Sequence, residues 1–467
     1  MLGKLQSIFQ KTRNKQESLP FVSALEWIHR NTINGVCVSN KNRTEYPEVT
    51  GYLIPTLLEW GEHDLARQYA AWLCSVQNGD GSWNGSDGTP YTFDTAQVLR
   101  GLIAIAPREP AVRDAIVKGT RFLFGCVEPS GRVSTPDERC WNEWMPESIQ
   151  LYAIAPLWNI HPALAARSWE YHRRHMKKPG LSHFAMYAAE AIADRGEQLP
   201  EQTWWPIEEN GMVQGVSKEK WSCLPGQFQY ALTHFKLGQY TKGTTSLHYG
   251  MQFQNATGGF YGCNGSGNYF CDQEISWAPK FFLDAYQWWM KSQFHRHARP
   301  ELSNTDGRLV ALRETMPKPC RSVLDVGCGT GRYLVRVDAE KRAGLELSPQ
   351  LVKTTPHTVE GSMLNIPFPD NMFDCTYAVE SLEHSINPQC AISEMCRVTK
   401  PGGSVIIIDK NAAHSGEMQI APWEQWFDTE QVCRWIEEHC TWVDWKYCGW
   451  EHHNPTGLFV LWKGVKR

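Results

Sequence analysis

The sequence has 15 cysteines but no C-x-x-C pair. Zinc ribbons and thioredoxin-type redox motifs need that spacing, so both are excluded, and the scattered thiols trace no disulfide framework. No apolar run approaches the length that crosses a bilayer. No secretory leader is evident, so the cysteines are expected to be reduced thiols in a cytoplasmic protein. Positive charge is not in excess either: 46 Lys and Arg against 50 Asp and Glu leave a net charge of −4. A nucleic-acid partner, which asks for a basic face, is therefore not expected. No His/Cys/acid cluster shows metal-ligand spacing, and His295 and His297, two apart in a proline-punctuated stretch, are expected to be solvated rather than to bind metal.

What is present is size and tryptophan. A chain of 467 residues, 42% hydrophobic and 21% charged, has room for two to three globular domains. Tryptophan occurs 21 times, mostly before residue 320, as cleft lining or as core filler. Residues 1–20 form a short basic segment. Leu2, Leu5, Ile8 and Phe9 fall at helical spacing beside Lys4, Lys11, Arg13 and Lys15. That pattern fits a frayed terminus packing on the body, or at most a peripheral contact with an anionic membrane.

From residue 21 to 291 the reading is helix after helix. Amphipathic stretches at 24–30, 64–77, 111–126, 166–176, 201–208 and 243–254 alternate with more apolar ones. The apolar stretches lie at 48–59, 94–105, 147–157, 185–192, 225–235 and 276–290. Alternation of half-exposed and fully covered helices, with entry points recurring every few tens of residues, predicts a repeat architecture of outer and inner helices. Six pairs would make an all-α (α/α)6 toroid.

Two turns share one pattern. QNGDGSW at 77–83 and QNATGGF at 254–260 both read Q-x-x-x-G-x-aromatic after an outer-type helix. The glycine ends the helix in the left-handed conformation, and the Gln is placed to bond orphan carbonyls or the neighbouring turn. This resembles the QW-type turns of terpene cyclases and related α/α barrels, but the D-x-D-D and D-D-x-x-D acids of terpene chemistry are absent. YPEVTGYLIPTLL at 46–58, with TFDTAQVLRGL at 92–102, resembles the α/α-toroid proteins of bacterial polysaccharide biosynthesis clusters. That resemblance implies a glycan context over about half the chain. It also implies that loops entering the inner helices line a mouth. The residues there are Tyr46, Glu48, Asp80, Trp83, Tyr91, Asp94, Glu143, Trp144, Glu147, His183, Asp272, Glu274 and Trp277. Converging carboxylates with Tyr and His suit acid–base work on a sugar ring. Glu48, Asp94 and Glu147 equally suit helix N-termini, where an acid favours the macrodipole.

Residues 292–320, punctuated by Pro300, Pro317 and Pro319, read as a linker containing a helix over 308–315. Residues 321–467 then alternate strands with helices, the mark of a parallel α/β sheet. SVLDVGCGTG at 322–331 runs a β-prone stretch into Gly327, Gly329 and Gly331, with Cys328 between. A strand that ends in glycines lets backbone approach a ligand at the start of a doubly wound unit. A helix over 332–337 is predicted to follow. The second strand, 343–347, ends at Glu346 and Leu347. FDCTYAVESLEH at 373–384 supplies Val379, Glu380 and His384, the last two placed four apart on a helical turn. A helix over 429–440 and closing strands at 442–450 and 456–465 complete the reading, with EHHNP between those strands at a rim.

These motifs together resemble the class I S-adenosylmethionine-dependent methyltransferases, in the subgroup acting on small molecules, lipids and sugars. The resemblance implies a Rossmann-like fold and S-adenosylmethionine as cofactor. It puts Asp325, the glycine loop and Glu346 on the ligand, Glu346 taking the ribose hydroxyls. Ser362 and Met363 fall where the family often has an Asp for the adenine amine, so Ser362 is expected to bind more weakly. Val379 and Glu380 would lie near the methionine portion. His384, and His414 in the loop after the fifth strand, are the candidates for taking an acceptor proton. The expected activity is O-methylation of a sugar in a surface polysaccharide, lipopolysaccharide or glycolipid precursor, with the toroid binding the glycan. The alternatives are a bifunctional chain whose toroid is a glycan lyase, hydrolase or epimerase, and a toroid that only binds.

Overall fold

The computed structural model describes residues 19–294, 301–421, 424–450 and 455–467. Residues 1–18 of the basic segment, His295 and His297, and most of the EHHNP rim lie outside these residues. The chain divides into two compact units, Met1–Leu58 with Glu62–Met290, and Glu59–Gly61 with Lys291–Arg467.

The first unit is helical: α1 (Pro20–Arg30), α2 (Pro47–Glu59), α3 (His63–Ser75), α4 (Thr92–Ile105), α5 (Arg113–Gly125), α6 (Gln150–Ile154), α7 (Pro162–Arg174), α8 (Ser182–Asp194), α9 (Leu224–Lys236), α10 (Tyr240–Met251) and α11 (Trp277–Phe294). Two kinds occur. On α3 only Leu65, Ala66, Tyr69, Ala70 and Leu73 are buried, the stripe of a helix with one face in water. On α9 twelve of thirteen residues are buried, so that helix is covered on every side. Two expected helices differ. Over 201–208 there is only a single 3-10 turn, Glu201–Thr203. Pro206 disfavours helical backbone at the residue before it. Over 147–157 only α6 is α-helical, flanked by 3-10 turns at Glu147–Ile149 and Ala155–Asn159. There Pro156 removes a helix donor.

The glycine turns explain how successive helices are spaced. Gln77 donates its side-chain amide to the Gly81 carbonyl at 3.0 Å and to the Ala115 carbonyl of α5 at 2.9 Å. Gln254 repeats this, donating to Gly258 at 2.9 Å and to Pro20 of α1 at 2.8 Å. Two further turns, at Gly131 and Gly211, share the backbone geometry without the glutamine. Gly81, Gly131, Gly211 and Gly258 have φ of 96°, 95°, 94° and 89°. A β-carbon at each would overlap a backbone carbonyl of α5, α7, α10 and α1 respectively. Each turn therefore rests on the next half-exposed helix, and the last rests on the first. The same junction is tied by Trp27, whose indole donates to Glu274 at 2.6 Å, and by Thr56, which donates to Asp284 of α11 at 2.7 Å.

One expectation about cysteine is corrected. Cys263 and Cys271 form a disulfide, with Cα atoms 4.8 Å apart. An antiparallel bridge from Tyr261 to Glu274 folds the intervening loop back on itself, a pairing that spacing alone does not reveal. No helix among the described residues is long and apolar enough to cross a membrane.

The second unit carries α12 (Gly307–Thr315), β1 (Ser322–Val326), β2 (Lys341–Glu346), α13 (Pro349–Val352), β3 (Thr358–Glu360), β4 (Phe373–Val379), α14 (Pro388–Val398), β5 (Thr399–Lys410), α15 (Thr429–Glu437), β6 (Cys440–Cys448) and β7 (Phe459–Lys466). The sheet order is β3-β2-β1-β4-β5-β7-β6. The first five strands are parallel, and β7 runs antiparallel to both β5 and β6. Helix α12 belongs to the domain rather than to a free linker: Leu309 and Leu312 join Val323, Tyr377, Ile406 and Leu461 in one core. Residues 332–337 form turns, not the expected helix. Six residues with β-branched Val335 and Val337 are too few to offset the cost of nucleation.

Replacing Gln254 by Ala would remove two hydrogen bonds at the junction of the last turn and the first helix. The loss in stability should be about 1–3 kcal/mol, read as a lower urea midpoint for the helical unit. An unchanged midpoint would show the junction is held without Gln254.

Candidate functional site

The order of the parallel strands reverses between β1 and β4, and in open α/β sheets ligands bind outside the carboxyl ends of strands at such a switch. The glycine loop lies there. Gly327 and Cys328 donate backbone N–H groups to the Leu345 carbonyl at 2.8 and 3.0 Å, which ties the loop to the end of β2. Gly327, Gly329 and Gly331 all have positive φ, at 75°, 55° and 73°. A β-carbon on Gly327 would come within 2.6 Å of the Ser381 side chain, so the loop needs glycine for space as well as conformation. Ser381 in turn donates its hydroxyl to the Val326 carbonyl at 2.7 Å, joining the ends of β1 and β4.

Glu346 is held by both oxygens: one accepts the Gly329 N–H at 2.9 Å, the other the Ser348 N–H at 2.8 Å. Its carboxyl is nonetheless raised from the usual range, because burial outweighs these bonds. Each oxygen retains a lone pair for a ligand hydroxyl. Asp325, only 2% exposed, accepts the Tyr377 hydroxyl at 3.0 Å. Cys328 is buried, and burial pushes its thiol well up, so it packs rather than reacts. Leu347 and Met363 are half-buried and Val379 is buried. Ser362 is buried, and its hydroxyl accepts the Leu364 N–H at 3.1 Å, so part of its bonding capacity goes to its own turn.

The structure corrects the local geometry expected for Glu380. It does not sit on a helical turn with His384: its φ is 50°, and only Leu382–His384 beyond it is a 3-10 turn. Its carboxylate is taken by Arg308 at 2.5 Å and Arg332 at 2.9 Å, and the buried Arg308 also pairs with Asp306 at 2.7 Å. His384 lies 3.6 Å from Glu383. Glu383 forms an ion pair with the buried Lys410, which also reaches Glu424 at 3.2 Å. Asp409, fully buried, accepts the Glu383 N–H at 3.1 Å, and burial holds its carboxyl well above its usual range. Among the described residues, Glu383, His384 and Glu424 are the one group close enough to share a metal ion, and the Lys410 ammonium already bonds both of those carboxylates. His414 instead pairs with Glu417 at 2.9 Å and packs over Gly457. Sequence reading missed Arg308, Arg332 and Lys410, whose partners are separated from them along the chain.

In the helical unit, Tyr46, Glu48, Tyr91, Asp94 and His183 line one cavity of about 320 Å³. Burial raises the Glu48 carboxyl to about 7, and burial reinforced by the nearby Glu48 charge raises Asp94 well above its usual range. His183 bonds Gln229 at 2.6 Å, and burial lowers its imidazole to about 3, so it is neutral. Trp277 lines the cavity too, whereas several of the other mouth residues have other partners. Trp83 is core, its indole donating to Leu73 at 2.7 Å. Glu147 is clasped by Arg132 at 2.7 and 3.2 Å. Glu143 is exposed and contributes only its carbonyl, to Gly180. Neither Glu143 nor Glu147 lines the cavity, because the helix start that would aim them inward is broken into 3-10 turns.

Asp325 gives a pH test. Burial, opposed by the Tyr377 hydroxyl and reinforced by Glu346, lifts its carboxyl to about 7. An unfolded Asp titrates near about 3.9. Between those values the folded chain holds a proton that the unfolded chain has released, so stability falls as pH rises through the window. Asp325→Asn removes that difference. Its urea midpoint in the absence of ligand should fall less than the wild type's from about pH 4.5 to pH 7, and an identical fall would refute the buried-proton account.

Residues 324–407 match the family model described as a methyltransferase domain. The chain is 27% identical over 187 residues to a 2-methyl-6-phytyl-1,4-hydroquinone methyltransferase of Synechocystis sp., covering 33% of this chain and 57% of that protein. It is 28% identical over 210 residues to a chloroplastic tocopherol O-methyltransferase of Arabidopsis thaliana, covering 37% of this chain and 60% of that protein. The chain thus spans less than two thirds of the length of these relatives. A solved S-adenosylmethionine-dependent methyltransferase from Aquifex aeolicus is 18% identical, with 38% of this chain and 98% of that one covered at a TM-score of 0.31. Strand order, glycine loop and family match converge: the second unit carries a class I S-adenosylmethionine-dependent methyltransferase domain, with S-adenosylmethionine as its cofactor.

Proposed function

We propose that the chain is an O-methyltransferase acting on a sugar hydroxyl in a surface polysaccharide, lipopolysaccharide or glycolipid precursor, in a bacterial cytoplasm. In this reading the helical unit is an (α/α)6-type toroid that binds the glycan. The observation that supports the glycan half is the cavity of about 320 Å³, where aromatic faces stand beside two carboxyl groups and tyrosine hydroxyls. Sugars offer such a site an apolar ring face and a rim of hydroxyls. The tocopherol O-methyltransferase among the relatives supports oxygen as the acceptor atom.

The residues at the glycine loop fit the cofactor. Glu346 would hold ribose hydroxyls on lone pairs left free by its two backbone bonds. When bound, S-adenosylmethionine supplies a methyl group already activated on a sulfonium. The protein then has two tasks, in-line positioning and removal of one proton. His384 is the residue proposed to take that proton, oriented by Glu383, which Lys410 and the Asp409 turn hold in place. His414, engaged with Glu417, is the second candidate. A reading in which the helical unit also does acid–base chemistry on the sugar is favoured by one observation, the Glu48 carboxyl raised to about 7 beside Asp94.

Mass spectrometry of surface glycans from cells carrying the wild-type chain or Asp325→Ala tests the assignment. One sugar methyl group should be missing from the variant's glycans, and an unchanged methylation pattern would defeat the glycan reading. With the acceptor in hand, His384→Gln should lower kcat about 10²–10⁴-fold while leaving S-adenosylmethionine affinity within error. Unchanged kcat would move the role elsewhere. Cleavage of the glycan by the chain without S-adenosylmethionine, lost in Glu48→Ala and Asp94→Ala, would favour the bifunctional reading.

A further inference from the structure

The cavity of the helical unit has an unbalanced charge inventory. Glu48 and Asp94 line it, 7% and 5% exposed, and among the described residues no Lys or Arg lines it with them. His183 is neutral, for the reason given above. Lys280, the cation that acts on Glu48, is itself paired with Asp284 at 2.8 Å and lies over the Phe281 ring at 4.0 Å. The Tyr46 hydroxyl bonds to the carboxyl pair, yet Asp94 Oδ2 has no hydrogen-bond partner. A buried acceptor without a donor is costly, and each such group asks for an explanation.

The walls point to what would satisfy it. Tyr46, Tyr91, Tyr187 and Trp277 bring aromatic rings to the same cavity as the two carboxyl groups. Ring faces attract a cation, most strongly where water is excluded, and an ammonium brings donors that a carboxylate oxygen lacks here. Neutral hydroxyls would satisfy the hydrogen bonds, whereas an ammonium also supplies the positive charge that lets buried carboxyl groups ionise. We propose that this cavity binds the protonated amino group of an aminated sugar, with Glu48 and Asp94 as its counter-ions and the aromatic walls against the ring. The proposal rests on the glycan reading and names the class of sugar.

Calorimetric titration of the full chain with three ring-sized probes separates the two ideas. Glucosamine offers charge and hydroxyls, glucose hydroxyls alone, and cyclohexylammonium charge alone. Glucosamine should bind about tenfold or more tightly than glucose. That advantage should vanish in Glu48→Gln with Asp94→Asn, a pair that keeps side-chain shape, with folding checked by circular dichroism. Glucose binding as well as glucosamine would overturn the amine proposal and leave the glycan reading standing. Cyclohexylammonium matching glucosamine, with glucose unbound, would uphold the cation site and overturn the glycan reading. No binding by any probe would overturn both. The wild-type comparison decides the matter even if the double variant fails to fold.

Discussion

The methyltransferase domain depends on one small arrangement: the Glu346 carboxylate gripped by the Gly329 and Ser348 amides. It joins the turn after β1 to the end of β2, so the residues that face the ligand are set by the register of two adjacent parallel strands. Gly327 and Cys328 add a second tie to the same strand through Leu345. Backbone and one buried carboxylate thus fix the site together, the preorganisation that a cradle for a flexible cofactor requires. It has an electrostatic side as well. Asp325 and Glu346 are both buried here, and the Glu346 charge adds to the burial that keeps a proton on Asp325, while Arg308 and Arg332 are spent on Glu380.

Buried carboxyl groups in this chain receive two kinds of treatment. Glu383 has Lys410 against it, and Glu380 has two arginines. Glu48 and Asp94 have only tyrosines, each other and a lysine engaged with Asp284. A paired carboxylate is a structural strut, whereas an unpaired one is a standing preference for a particular kind of guest.

How much of this was legible in the sequence varied with the range of the interaction. The parallel sheet, the glycine loop and Glu346 came from strand-then-glycine spacing and register, which are local. The inner and outer helices followed from burial period, and the two Gln turns from a seven-residue pattern whose bonds the structure supplies. What failed was either proline-limited or long-range. Pro206 and Pro156 cut helices that hydropathy alone extends. The Cys263–Cys271 disulfide depends on a loop folding back, and the Arg308–Glu380 pair on α12 docking under the sheet. The turns at Gly131 and Gly211 went unread because they keep the glycine but lack the glutamine.

Those four turns have a kinetic meaning. In an open stack of helical repeats, terminal repeats are held by one neighbour only, and unravelling starts at the ends. Here the turn at Gly258 lies against α1, with Gln254 bonded to Pro20, and Phe21 of α1 packs on Tyr286 of α11 with ring centroids 5.6 Å apart, so the first and last helices serve as each other's neighbours. Among the described residues, the first and last turns of helices therefore brace each other. Opening the unit anywhere breaks a junction, so exchange of its buried amides with solvent is expected to follow one cooperative event rather than a gradient running in from the termini.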